Sequence, residues 1–180
     1  MKVRRIVTGH DSSGRAIFAS DETAPRSVQF EHVPGLGAAL LWQTAMAPSV
    51  GGTSVDPTPR VASWLPEGGG TSAMVLVFPP DSIAQNPNFD PRAAGAEYAE
   101  KLPGLAEKFE ADAPGMHRTD TLDYAILLDG EICLELDDGA FRTLNRYDVV
   151  VQNGTRHAWR NRGSKPATML FVMVSAARVG

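Results

Sequence analysis

Two stretches decide the fold. Residues 115–124 read Gly115-Met116-His117-Arg118-Thr119-Asp120-Thr121-Leu122-Asp123-Tyr124, and residues 152–161 read Gln152-Asn153-Gly154-Thr155-Arg156-His157-Ala158-Trp159-Arg160-Asn161. Successive side chains of an extended backbone point to opposite faces. His117, Thr119, Thr121 and Asp123 therefore share one face, and His157, Trp159 and Asn161 share one face of the second stretch. If the two strands lie side by side, a histidine from each points inward with a carboxylate nearby. Polar side chains in a row are costly on a buried face unless they meet water, a ligand or one another. The rung Thr119, Thr121 and Asp123 thus predicts a hydrated or ligand-filled cavity, with a simply exposed face as the alternative.

Strand signals extend outward from these stretches in both directions. On the C-terminal side Tyr124 to Leu128 runs into an Asp129-Gly130 turn. Ile132, Leu134 and Leu136 then alternate with Glu131, Cys133 and Glu135, the pattern of a sheet with one buried face. Asp138-Gly139 reads as a hairpin turn, and Val149 to Val151, Ala158 to Arg160 and Thr168 to Val174 complete that half. On the N-terminal side, Val3 to Thr8 and Ala16 to Ala19 flank a polar turn and predict a hairpin. Val28 to His32, Ala39 to Thr44 and Ser72 to Phe78 follow, with residues 47–71 mostly irregular. Residues 90–110 form the one helical region: Asp90-Pro91 is an N-cap and first-turn pair, and Tyr98, Leu102, Leu105 and Phe109 fall on one face. Pro103 is expected to split it into two short helices.

The two stretches resemble the paired motifs of the cupin superfamily, His-x-His-x3-Glu-x6-Gly and Pro-x-Gly-x2-His-x3-Asn. His117 matches the first histidine, Asp123 the glutamate position and Gly130 the closing glycine; Gly154, His157 and Asn161 match the second motif. The resemblance implies an all-β fold, a double-stranded β-helix or jelly-roll barrel with N-terminal extra strands and a short helical insertion. It implies a single domain over 1–180. Residues 1–71 would pack on the barrel or on a partner, and 72–176 would form the barrel with its insertion at 90–110. The insertion is expected either as a lid over the pocket or as a packing or dimer element. A homodimer is also implied, with the N-terminal hairpin available for exchange.

The departures from the motifs carry chemical weight. Thr119 stands at the second histidine position, Asp123 is one methylene shorter than glutamate, and Gln152 replaces the usual proline. The family's ligand set is thereby reduced to His117, His157 and Asp123, a plausible facial set for one divalent metal: iron, zinc, manganese or nickel. Metal-free use of the pocket is the equal alternative, with the two imidazoles as general acid and base. His117, His157 and Asp123 are the candidate catalytic residues, and Thr119, Thr121 and Trp159 the candidate substrate contacts. Three functions stay open. The first is an enzyme performing a lyase-type dehydration, decarboxylation or isomerisation on a small oxygenated or aromatic compound. The others are a non-haem iron dioxygenase and a non-catalytic ligand-binding protein.

Bulk properties exclude other classes. The 180 residues carry a net charge of −4 with no basic block, so nothing suggests nucleic acid, and no basic amphipathic stretch suggests a membrane surface. A single cysteine, Cys133, excludes an internal disulfide framework and fits a reducing cytoplasm. Met1 to Ile6 lacks the apolar run of a secretion signal. His10 and His32 lie outside both motifs and are expected at the surface, and Asn161 is expected to brace a turn.

Overall fold

The computed structural model describes residues 1–51 and 55–179; of the expected irregular stretch, 52–54 lie outside the described residues. Eleven strands and one α-helix appear among them. An N-terminal hairpin pairs β1 (Arg4–His10) with β2 (Ala16–Thr23) and with no other strand. The larger sheet contains β3 (Arg26–Gln29), β4 (Gly37–Thr44), β5 (Thr71–Phe78), β6 (Thr121–Asp129), β9 (Val149–Asn153) and β11 (Ala167–Ser175). Its order is β3-β4-β5-β11-β6-β9, antiparallel throughout. The smaller sheet is β10-β7-β8, built from β7 (Ile132–Glu135), β8 (Phe141–Leu144) and β10 (Ala158–Arg160).

The two sheets face each other across one apolar cluster. Leu40, Met74, Leu127 and Met169 come from the large sheet, and Ile132 and Leu134 from the small one. Their alternation creates this core. On β6 the buried side chains are Thr121, Asp123, Ala125 and Leu127, and on β11 they are Ala167, Met169, Phe171 and Met173. The result is an all-β jelly roll. One motif glycine is explained directly: Gly130 turns the chain from β6 with φ 84°, and a Cβ there would lie 2.7 Å from the Pro166 carbonyl oxygen.

Of the N-terminal strands, β3 and β4 join the large sheet, beside the barrel expected over 72–176. One boundary is corrected. The strand expected over Val28–His32 ends at Gln29, since the amides of Glu31 and His32 bond to the Glu97 carboxylate instead of a neighbouring strand. The hairpin turn expected at Asp138-Gly139 joins β7 to β8, whose bounds the sequence did not mark. The helix matches its sequence signals more closely: α1 (Pro91–Lys101) is capped by Asp90, whose carboxylate accepts from Arg92 N at 2.9 Å and Ala93 N at 3.1 Å. Pro103 stops it, and only a short 3-10 turn at Ala106–Lys108 follows. Among the described residues no helix is long and apolar enough to cross a membrane.

Candidate functional site

His117 and His157 meet backbone to backbone. His117 N donates to His157 O at 2.9 Å, and His157 N donates to His117 O at 3.0 Å. A doubly hydrogen-bonded antiparallel pair puts both side chains on the same face, and the two imidazole centroids lie 4.2 Å apart. Phe109, just after the helical insertion, bridges to His117 from its other side, with ring centroids 4.6 Å apart. The rings continue in both directions as an aromatic row. Tyr98 packs 5.7 Å from Phe109, Trp159 5.9 Å from His157, and Phe171 5.7 Å from Trp159.

This row lines a cavity of about 680 Å³ between the sheets and the insertion. Its other walls are largely aliphatic, including Leu36, Met74, Leu76 and Met173. Asp123 and Arg160 are among the few charged groups that line it. The insertion itself forms one wall through Phe89, Ala94, Tyr98, Leu102 and Leu105.

Each imidazole is held in one tautomer. The Nδ1 of His117 lies 3.1 Å from the Gly115 carbonyl oxygen, and that of His157 lies 2.9 Å from the Thr155 oxygen. A carbonyl only accepts, so Nδ1 carries the proton and Nε2 keeps its lone pair. Burial lowers the His117 pKa. Burial also lowers that of His157, and the neighbouring His117 charge pushes it further, to about 4. At neutral pH both rings are neutral, and protonating one opposes protonation of the other.

Asp123 is perturbed in the opposite direction. It is buried, its Oδ1 is sealed from solvent without a hydrogen-bond partner, and desolvation raises its pKa to about 6. A carboxyl placed this way disfavours its charged form.

The expected site residues do not all converge. His117, His157, Asp123 and Trp159 line the cavity. Thr119 and Thr121 are buried, bond each other through their hydroxyls at 2.7 Å, and are not among the residues that line it. The three-ligand metal set is also not gathered. Among the described residues, no three His, Cys, Asp or Glu side chains close around a common point.

Other expectations can be placed as well. Asn161 is buried and braces a turn, donating to Phe78 O at 2.9 Å and Lys165 O at 2.8 Å. His10 and His32 are exposed. Arg156 is engaged by Glu110 and Asp137, and Arg160 by Glu135 and the Pro114 carbonyl. Sequence reading missed Tyr98 and Phe109 as cavity residues. Their helical stripe was visible and the insertion was expected either as a lid or as a packing element, but neither reading named the side chains that face the pocket.

No protein-family model matches the chain. Phomopsin biosynthesis cluster protein D of Diaporthe leptostromiformis is 53% identical over 62 residues, 34% of this chain and 33% of that protein. The chain thus matches about a third of the length of that relative. Cupin-domain-containing oxidoreductase fogC of Aspergillus ruber is 28% identical over 176 residues, 96% of this chain and 72% of the relative. A solved Cupin 2 conserved barrel domain protein from Salinispora arenicola is similar with a TM-score of 0.39 at 17% identity, covering 81% of this chain and 85% of the other. With its two motifs paired strand to strand inside a jelly roll, the chain is similar along nearly its whole length to a cupin-domain-containing oxidoreductase.

Proposed function

We propose that this cupin is a small-molecule enzyme that moves a proton within an uncharged oxygenated or aromatic substrate, in a lyase-type dehydration or isomerisation. The observation that carries the reading is the histidine pair. Two neutral imidazoles with committed Nδ1 protons leave two Nε2 lone pairs beside an aromatic-lined cavity. Because charge on one opposes charge on the other, the pair takes up one proton at a time, which suits a base that later returns it as an acid. One imidazole takes a proton from the carbon next to a substrate carbonyl, giving an enolate and an imidazolium. Return of that proton to another carbon completes an isomerisation; its delivery to a departing β-hydroxyl releases water. The Asp123 carboxyl, when protonated, offers a hydrogen bond to developing negative charge.

Decarboxylation is less well served. The only cation lining the cavity among the described residues, Arg160, is already engaged by Glu135 and by the Pro114 carbonyl. A substrate carboxylate would find no free guanidinium there. No step in the reading requires a metal ion.

Heavy-water exchange tests the proposal. Carbonyl-bearing aromatic compounds incubated with the wild-type protein should gain deuterium next to the carbonyl, read by mass spectrometry. His117→Ala and His157→Ala should lose at least tenfold in rate while keeping the wild-type circular dichroism. Saturable binding without exchange by any compound would favour the ligand-binding reading. An oxidoreductase is the second reading, favoured by the name that fogC carries. Oxygen consumption on addition of iron(II) and a catechol-like substrate would select it. A second copy of the chain is the partner proposed for the outer face of the large sheet.

A further inference from the structure

Resting on the cavity as a substrate site, we infer that Tyr98 is a substrate-binding residue, its phenol donating a hydrogen bond to an oxygen of the bound molecule. Tyr98 is carried by α1, and α1 is fixed at two points. The buried Glu97 carboxylate accepts from Glu31 N and His32 N, both at 2.8 Å, and the Lys101 ammonium donates to Gln29 O at 2.6 Å. These bonds tie the helix to the chain leaving β3. Phe30 in that segment packs 5.0 Å from the Tyr98 ring, and Phe109 holds its other side at 5.7 Å. The ring is held before any ligand arrives.

The hydroxyl is left over by this packing. No hydrogen bond contributes to its environment, in which burial dominates, followed by the charge of Glu97. Among the described residues the sealed polar atoms without a partner are Arg5 Nε, Trp64 Nε1 and Asp123 Oδ1, and the Tyr98 oxygen is not one of them. Tyr98 lines the cavity, so the substrate site is the space that the proposal assigns to its free hydroxyl. Burial pushes the phenol up to about 12, keeping it a neutral donor. Phe109 separates Tyr98 from His117 along the aromatic row. A flat molecule lying against Phe109 would present one end to the imidazoles and an oxygen at the other end to the phenol.

Tyrosine labelled with carbon-13 at Cζ gives three resonances, and the exposed Tyr124 and Tyr147 serve as internal controls. The probes are 2-naphthaldehyde and 2-methylnaphthalene, similar in size, with only the first carrying an oxygen. The aldehyde should move the Tyr98 resonance and leave Tyr124 and Tyr147 in place; the hydrocarbon should not produce that shift. Tyr98→Phe should weaken aldehyde binding about fivefold, the worth of one neutral hydrogen bond, and leave hydrocarbon binding unchanged. Aldehyde binding that moves the His117 and His157 resonances but not Tyr98, with no loss in Tyr98→Phe, overturns the assignment of Tyr98 alone. If neither probe moves any histidine or Tyr98 resonance at saturation of solubility, the cavity reading falls and Tyr98 with it.

Discussion

Asp123 and His157 sit in one apolar wall and answer pH in opposite directions. The Asp123 pKa rises from 3.8 to about 6, so the folded state binds its proton more tightly than the unfolded chain does. Stability from this residue is greatest at low pH and falls as pH rises from about 4 through 6, by roughly 3 kcal/mol at most. The His157 pKa falls from 6.5 to about 4, so the unfolded chain is the better proton binder over that range. This contribution is lost as pH falls from 6.5 toward 4, and the lowered His117 adds to the loss. Asp123→Asn removes one side of the balance. The variant should be more stable than wild type at pH 7.5, by about 1–3 kcal/mol, and the gap should close toward pH 4. Urea unfolding at both values measures the gap. A gap independent of pH would mean that Asp123 is ionised and well solvated in the folded protein.

At the scale of elements, the insertion supplies both a wall of the cavity and Tyr98, so its anchoring matters for function. Glu97 is the chief anchor, its buried carboxylate serving two backbone amides and the Lys101 ammonium. Glu97→Gln leaves one acceptor oxygen for two amides and removes the ion pair, costing about 1–3 kcal/mol. Limited proteolysis should then cut faster within residues 79–116 than in the strands, and an unchanged pattern would show that the anchor does not hold the insertion. How much of this was legible in the sequence depends on the range of each interaction. The Asp90-Pro91 helix start was readable because a cap bonds within three residues. The inward face bearing His117 and Asp123 was readable because strand alternation is local. The same parity could not tell that Thr119 and Thr121 would bond each other rather than a ligand. Nor could it tell that Phe30, 68 positions before Tyr98 in the chain, would pack against it. The extent of β8, after the expected Asp138-Gly139 turn, stayed hidden because Phe141-Arg142-Thr143-Leu144 buries only Leu144. Whether a metal is held was not legible either: motif spacing places residues along strands, whereas an ion requires three donors to converge in space.

For the whole molecule, the outward face of the large sheet is the outstanding feature. A sheet with one face in the core usually turns polar side chains to water on the other. Here the outward positions are Leu122, Tyr124, Ile126 and Leu128 on β6, Val149 and Val151 on β9, and Leu170, Val172 and Val174 on β11. Tyr124, Val149 and Val151 are each about half exposed. An apolar face of this kind is what the proposed second copy would cover. The β1–β2 hairpin makes the same point independently. Among the described residues it pairs with no further strand; Arg5 ties it to Leu41 O and to Asp56, but Ile6, Ile17 and Phe18 stay exposed. The proposed second copy would cover this face in a symmetric contact. Sedimentation equilibrium should therefore give twice the 19.3 kDa chain mass at micromolar concentration. The double variant Val149→Glu and Val151→Glu should give the single mass, because a buried carboxylate on that face would go unpaired. These two residues point away from the cavity, so the variant should keep wild-type aldehyde affinity. A wild-type monomer across the concentration range would end the dimer proposal and leave the apolar face to a different partner.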